Sequence, residues 1–397
     1  MTERILVAVE LAGRSVPAGV LHVDTARTLS STFAYDPAYL AHAEAYPLDP
    51  ALPLQAAATH VRGLPGAFAD TAPDRWGRNL IQRRLQQLRG RGGRTPSEVD
   101  FLLGVSDESR QGALRFSRQL DGPYLSDQGE VPRLIQLPRL LRAADHVARA
   151  AGDEGDLKTL LQAGSGSLGG ARPKASISDG GPLYIAKFPH HQDQWDVMAW
   201  EATALDLAGQ AGLEVPAHRL VRLEEGAVLL VRRFDRSGER RLGYLSAMAL
   251  LQAADGQTLD YLDVAETLAS VGSNPARDLR QLWTRIAFSI AINNTDDHLR
   301  NHGFLRAATG WRLAPAFDIN PNPQSVNRQT AIGGYTDRDG CAEALVESAA
   351  SFGLDAVGTS EILERVRGAV RNWRQVAAAN GVNRAEADQL ADAFGGV

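Results

Sequence analysis

The chain has a single cysteine, Cys341, among 397 residues, which excludes an internal disulfide framework and a thiolate metal cluster and leaves a lone packed thiol. No apolar run approaches the roughly 18 residues that membrane crossing needs. The opening MTERILVAVELAGRS alternates like a strand up to Gly13 and lacks the charged-then-apolar order of a leader. A cytoplasmic protein without membrane contact is the expectation. Lysine is nearly absent: Lys158, Lys174 and Lys187 are the only three, and the other 39 of the 42 basic residues are arginine. Lysines that persist in such a chain are candidates for work a planar guanidinium cannot do, such as placing a compact ammonium against a phosphate. Excess positive charge is missing too. A net charge of −5 does not describe a protein that binds nucleic acid over its whole surface, so any DNA role needs a partner.

What is present is enough apolar residue, 44%, for two or three domains. Residues 1 to about 60 alternate short apolar runs with Gly, Pro and Asp, as in a small antiparallel sheet. Asp74 to Leu88 is helical in pattern, RGRGGRT (89–95) is a connection, and Leu134 to Ala151 is a further amphipathic helix closed by the boundary AGDEGD. Arg83, Arg84, Arg89, Arg91 and Arg94 carry no interleaved aromatics and read as a solvated helix end and loop. From Lys158 to Phe234 strand signals dominate around one helix. After Ser246 the chain is mostly helical, with one hairpin near Phe304 to Leu313. This order predicts an α+β, two-lobed protein-kinase-like fold, with a strand-rich N-lobe over 151–245 and a helical C-lobe over 246–397, preceded by a small α/β subdomain over 1–150.

Gly164-Ser165-Gly166-Ser167-Leu168-Gly169-Gly170 fits G-x-G-x-x-G, whose glycines let backbone N–H groups approach phosphate oxygens. No Gly-Lys-Ser/Thr follows, so it is not a Walker loop, and no βαβ unit surrounds it as a Rossmann loop requires. Gly166, Ser167, Gly169 and Gly170 are therefore candidates to face ATP phosphates. Next, Pro173 to Ser178 reads as a strand, Asp179-Gly180-Gly181 as a tight turn and Leu183 to Phe188 as the returning strand. Tyr184-Ile185-Ala186-Lys187 imitates the V-A-I-K strand motif whose lysine pairs with ATP phosphates. A helix over Asp196 to Ala211, apolar at Val197, Trp200, Ala204, Leu207 and Ala208, carries Glu201 as a candidate partner for Lys187.

The fullest constellation lies later. Leu279, Leu282, Trp283, Ile286, Ile290 and Ala291 form a helical stripe ending at Asn293-Asn294-Thr295. The loop Asp296-Asp297-His298-Leu299-Arg300-Asn301 follows, then a hairpin, then Ala316-Phe317-Asp318. Helix, Asp-x4-Asn loop, hairpin and Asp is the order of a kinase catalytic loop, in which the first Asp accepts the hydroxyl proton and the Asn and last Asp hold Mg²⁺. Asp296 is thus the candidate base, with Asn301 and Asp318 the metal ligands. Asp-x4-Asn serves any hydroxyl, and His298 within Asp-x-His-x-x-Asn is shared with phosphoinositide kinases. A small-molecule or lipid phosphotransferase, and a pseudokinase that binds a DNA-binding repressor, stand as alternatives to a protein kinase.

With these residues in place the chain resembles the HipA family of bacterial serine/threonine-protein kinase toxins. The likeness runs through Phe68 to Arg78 (FADTAPDRWGR), Gly112 to Phe116 (GALRF), Gly169 to Ala175 (GGARPKA), Tyr184 to Pro189 (YIAKFP), Arg233 to Arg236 (RFDR), Asn294 to Asn301 and Leu313 to Asp318. The resemblance implies Asp296 as catalytic base, Asn301 and Asp318 as Mg²⁺ ligands, Lys187 on the phosphates of ATP and Ser167 as a site of inhibitory autophosphorylation. It also implies a protein substrate and a helix-turn-helix antitoxin partner through which DNA is reached. After Arg241-Leu242 the chain reads Gly243-Tyr244-Leu245-Ser246, where many members carry an acidic pair near the adenine, so no hinge contact is assigned.

Overall fold

The computed structural model describes residues 2–25, 28–89, 94–119, 122–124, 131–165, 172–254, 257 and 259–395. The chain divides into two units, one of residues 1–191, 223–228 and 235–245, the other of residues 192–222, 229–234 and 246–397.

The first unit begins with strands β1 (Thr2–Leu11), β2 (Arg14–Asp24), β3 (Ser30–Tyr35) and β4 (Thr59–Arg62), which with β5 (Leu114–Ser117) form a sheet in the order β4-β3-β2-β1-β5. Short returns join the first three strands and a longer connection with the helix Pro37–Leu40 leads to the fourth, so that the four form an antiparallel meander of the kind the alternation over residues 1–60 predicts. The fifth strand joins from far along the chain, pairing Leu6 with Ser117 and Val9 with Leu114. Edge-to-face contacts link Phe33 to Phe68 and Phe68 to Phe116, so the aromatic core spans the sheet and the short helix Gly66–Ala69. Beneath it the wholly buried Arg110 donates to the carbonyls of Thr71, Leu102 and Val105 and lies over the Phe116 ring. Burial lowers its pKa to about 9. Asp235 accepts from Gly112 N–H and from Arg236, so the GALRF and RFDR segments share a structural contact.

The helix Arg75–Arg89 follows Asp74, whose Oδ1 accepts from Gly77 N–H at 2.7 Å. Strands β6 (Lys174–Ser178) and β7 (Leu183–Lys187) form the expected antiparallel hairpin, in the register Lys174 to Lys187 and Ser178 to Leu183. Gly180 and Gly181 take positive φ (62° and 112°) in its turn, a conformation that leaves little choice of residue.

In the second unit the helix Val197–Gln210 is capped by the Asp196 side chain at Ala199 N–H. Its apolar stripe predicts one buried side, yet Met198, Ala199, Glu201, Ala202, Thr203 and Leu205 are buried as well. The reason is a second layer: Trp373 and Phe394 pack against Trp200, and Glu386 accepts from Trp200 Nε1 and Asp196 N–H. The helix Pro275–Ala291 presents the predicted stripe, and Asn293 closes it in a left-handed conformation (φ 49°). The hairpin Gly303–Ala307/Gly310–Leu313 is held to that helix by Leu313 N–H on Asp278 and by Arg285 on the Ala314 carbonyl. A second short hairpin, Asn327–Ile332/Tyr335–Asp337, stands where the sequence pattern predicts helix. Its Gly333-Gly334 turn (φ 59° and 84°) is a strong hairpin signal that the surrounding helical pattern outweighs.

Candidate active site

Asp296 lies in the exposed part of the loop after helix Pro275–Ala291. Asn301 is nearly buried and donates from Nδ2 to the Asp296 carbonyl at 3.1 Å. This bond orients the Asn301 amide and leaves Oδ1 as its cation-accepting atom. Gln329 Nε2 donates to Asp296 Oδ1 and so restrains the carboxyl, while Asn301 holds the main chain of the same residue. The structure thus brings Asp296 and Asn301 together as the motif predicts.

The loop is stitched to the segment 320–330 along its length. Asn293 Nδ2 donates to the carbonyls of Asn322 and Ser325, and Asn294 Oδ1 accepts from Asn320 N–H. Asn322 Nδ2 donates to Thr295 Oγ1 at 2.8 Å, Gln329 N–H to the Thr295 carbonyl, and Thr330 Oγ1 to the Asp297 carbonyl at 2.7 Å. These contacts tie the loop to the chain just beyond Asp318. Asp318 itself is half-buried and has φ 56°, a left-handed conformation uncommon for a residue other than glycine. Its neighbours are anchored, Ala316 N–H on the Glu214 carbonyl and Phe317 against Phe234.

Beside the exposed Asp296 the carboxylate of Asp297 is buried and fully engaged. Its Oδ2 accepts from Tyr261 Oη (2.5 Å) and Ser289 Oγ (2.9 Å) and lies 3.6 Å from Arg328; its Oδ1 accepts from His302 Nε2 at 3.0 Å. Burial alone raises its pKa, but His302, Arg328 and the Tyr261 hydroxyl outweigh burial and hold it well below the usual carboxylate range. Nothing in the periodicity distinguishes two consecutive aspartates, so this anchor is not legible in sequence. Arg328 and Tyr261 carry no sequence signal either.

Asn301 Oδ1 and the Asp318 carboxylate are hard oxygen donors of the kind Mg²⁺ takes. Among the described residues no cluster of three or more His, Cys, Asp or Glu side chains is placed to hold a metal ion. One amide oxygen and one carboxylate are the kind and number of protein donors that a Mg²⁺ retaining water and phosphate ligands takes. Lys187 ends β7 in the first unit and is half-buried, while Glu201 is buried on helix Val197–Gln210 in the second. Gly166, Ser167, Gly169 and Gly170 lie outside the described residues. Cys341 is the packed thiol expected, and no helix among the described residues is long and apolar enough to cross a membrane.

A family model described as the HipA-like C-terminal domain matches residues 166–373, and one described as the HipA N-terminal domain matches residues 9–117. Among solved structures, the HipA chain of the Shewanella oneidensis MR-1 toxin–antitoxin complex of HipA, HipB and operator DNA matches with a TM-score of 0.70 at 18% identity, over 98% of this chain and 94% of that one. The α+β, kinase-like class expected from sequence is accordingly the fold observed. The Helicobacter pylori proinflammatory kinase CtkA aligns over 53% of this chain and 92% of its own, at 16% identity and a TM-score of 0.38. No curated protein matches the chain.

Proposed function

The chain belongs to the HipA family, and we propose that it is an ATP- and Mg²⁺-dependent serine/threonine-protein kinase that acts as a HipA-type toxin. The observation that carries this reading is the pairing of an exposed Asp296 with a buried Asn301 whose amide is fixed on the Asp296 carbonyl. One loop thereby offers a carboxylate to an incoming hydroxyl and an amide oxygen to a cation, the two functions phosphoryl transfer needs side by side. Asp296 accepts the hydroxyl proton and aims the oxygen, with Gln329 restraining its rotation. Asn301 and Asp318 hold Mg²⁺, which when bound neutralises charge on the phosphates. Lys187 places its ammonium on the phosphates, and the glycines Gly166, Gly169 and Gly170 with Ser167 cover them.

The partner in this reading is a helix-turn-helix antitoxin, since the Shewanella HipA is solved with HipB and operator DNA. An acidic chain suits that arrangement, because the partner supplies the phosphate contacts to DNA. The deciding experiment is incubation of the purified chain with labelled ATP, Mg²⁺ and cell extract, beside Asp296→Asn. Label on a protein serine or threonine that disappears with Asp296→Asn is expected. Label on a metabolite or lipid would make the chain a small-molecule phosphotransferase, and nucleotide binding without transfer would make it a pseudokinase.

A further inference from the structure

We propose that Asp297 is a positioning residue for phosphoryl transfer, a buried post whose anchoring turns the neighbouring Asp296 outward; this rests on the reading of Asp296 as the base. Consecutive residues of an irregular loop have no periodicity to decide which points inward. Here Asp297 is 4% exposed while Asp296 is exposed, and the difference lies in what surrounds each.

Asp297 gathers three hydrogen-bond partners and one ion-pair partner from four places in the unit. Tyr261 opens the helix Tyr261–Val271, Ser289 lies on the helix Pro275–Ala291, Arg328 on the strand Asn327–Ile332, and His302 just beyond the loop. Ser289 Oγ also accepts from Arg328 Nη2 at 2.6 Å, so the hydroxyl relays the guanidinium to the carboxylate. His302 and Arg328 are wholly or almost wholly buried; the guanidinium cannot accept, and His302 Nε2 could accept only with its proton moved to Nδ1, a nitrogen buried without a hydrogen-bond partner. An amide in place of the carboxylate therefore either sets its NH₂ towards Arg328, Ser289 and Tyr261 or forces that change of tautomer on His302, and in both cases the charge paired with Arg328 is lost. The Asp297 main chain is bonded as well, through Thr330 Oγ1. Side chain and backbone of one residue are thus both fixed, one position from the proposed base. Asn301 then returns to the Asp296 carbonyl and closes the loop on the other side.

The test uses the full chain and the variants Asp297→Asn and Tyr261→Phe. The measurements are phosphate transfer per folded molecule, the dissociation constant for Mg-ATP analogue, thermal unfolding, and amide hydrogen exchange over residues 295–302. For Asp297→Asn the expected result is a fall in transfer of about 100-fold, the size associated with misplacing a reacting group by about 1 Å. Nucleotide affinity is expected to be unchanged and exchange in the loop faster. Tyr261→Phe removes one donor and no charge, and is expected to show the same split at smaller size while still folding. Transfer per folded molecule equal to that of the wild type, or transfer and nucleotide affinity that fall together with thermal stability, would overturn the proposal. If the wild type transfers no phosphate, the kinase reading fails on its own. Loop exchange then decides about Asp297 separately, and unchanged exchange in Asp297→Asn would sink its positioning role.

Discussion

Lys174 Nζ donates to Asp74 Oδ2 at 2.6 Å across one hundred positions of sequence, with the two side chains only 3% and 8% exposed. Asp74 also caps the helix Arg75–Arg89 through Gly77 N–H. One carboxylate therefore joins the start of that helix to the strand that follows the glycine-rich segment. Removing one member leaves the other charge buried, so Lys174→Met or Asp74→Leu is expected to destabilise the fold by about 3–5 kcal/mol. The double replacement is expected to lose much less, apart from about 1 kcal/mol for the helix cap. Denaturant unfolding of the three variants checks this through non-additivity.

The same register sets Lys174 directly opposite Lys187. Cross-strand partners project to one face, so two of the three lysines are neighbours there, and Asp74 holds the first. Lys187→Met is expected to weaken Mg-ATP binding by about 10- to 100-fold, since a charge-assisted contact contributes about 1.5–3 kcal/mol. Lys187→Arg is expected to restore little, the guanidinium being planar and larger. Asp296→Asn is expected to leave this affinity intact while abolishing transfer, and titration calorimetry beside a transfer assay separates the two roles.

Local patterns made the hairpin around Gly180-Gly181 and the helix before the loop legible, because each is written within a few neighbouring residues. Asp296 and Asn301 were legible through their spacing, which a single loop satisfies. What escaped is non-local. The partner of Lys174 is one hundred residues away, and β5 reaches β1 across the whole first subdomain. Helix Val197–Gln210 reads as one-sided because the aromatic layer over its other side, Trp373 and Phe394, comes from the end of the chain. The two environments of Asp296 and Asp297 depend on Tyr261 and Arg328, which no motif links to them.

His218 presents both ring nitrogens to acceptors, Nδ1 to the Pro216 carbonyl and Nε2 to Asp206, which only the doubly protonated ring satisfies. Asn380 Nδ2 donates to the other Asp206 oxygen, so this cluster fastens helix Val197–Gln210 to the C-terminal helices. Burial lowers the His218 pKa, but the Asp206 carboxylate and the Pro216 carbonyl overcome it and the net shift is upward. The hydrogen bond from His218 in turn lowers the pKa of Asp206. A raised histidine contributes stability that is complete below its unfolded value of about 6.5 and is lost as pH climbs through the folded value. Asp206 contributes above its unfolded value and loses its share as pH falls through the lower folded one. The wild type is thus expected to lose thermal stability as pH rises from about 6.5. His218→Gln is expected to start lower and change less, so that the two melting curves converge towards alkaline pH; parallel curves would show that His218 is not the titrating group.

The last expectation concerns Ser167, which lies outside the described residues and is argued from sequence alone. It stands between Gly166 and Gly169-Gly170 in the segment proposed to cover the phosphates of ATP. Glycines impose little steric preference of their own. A phosphate there adds about −1.5 to −2 charge at neutral pH, opposite in effect to the Lys187 ammonium proposed to attract ATP. Incubation with Mg-ATP is expected to add the mass of one phosphate to the chain and to make transfer decline with time. Ser167→Ala should keep its activity longer, while Ser167→Asp, carrying a single charge and fewer oxygens, should lower nucleotide affinity only modestly. Intact-mass measurement with peptide mapping decides the first step. An active enzyme that transfers phosphate to a substrate yet never gains it at Ser167 would make this serine part of the linker chemistry and leave control of transfer to the proposed antitoxin partner.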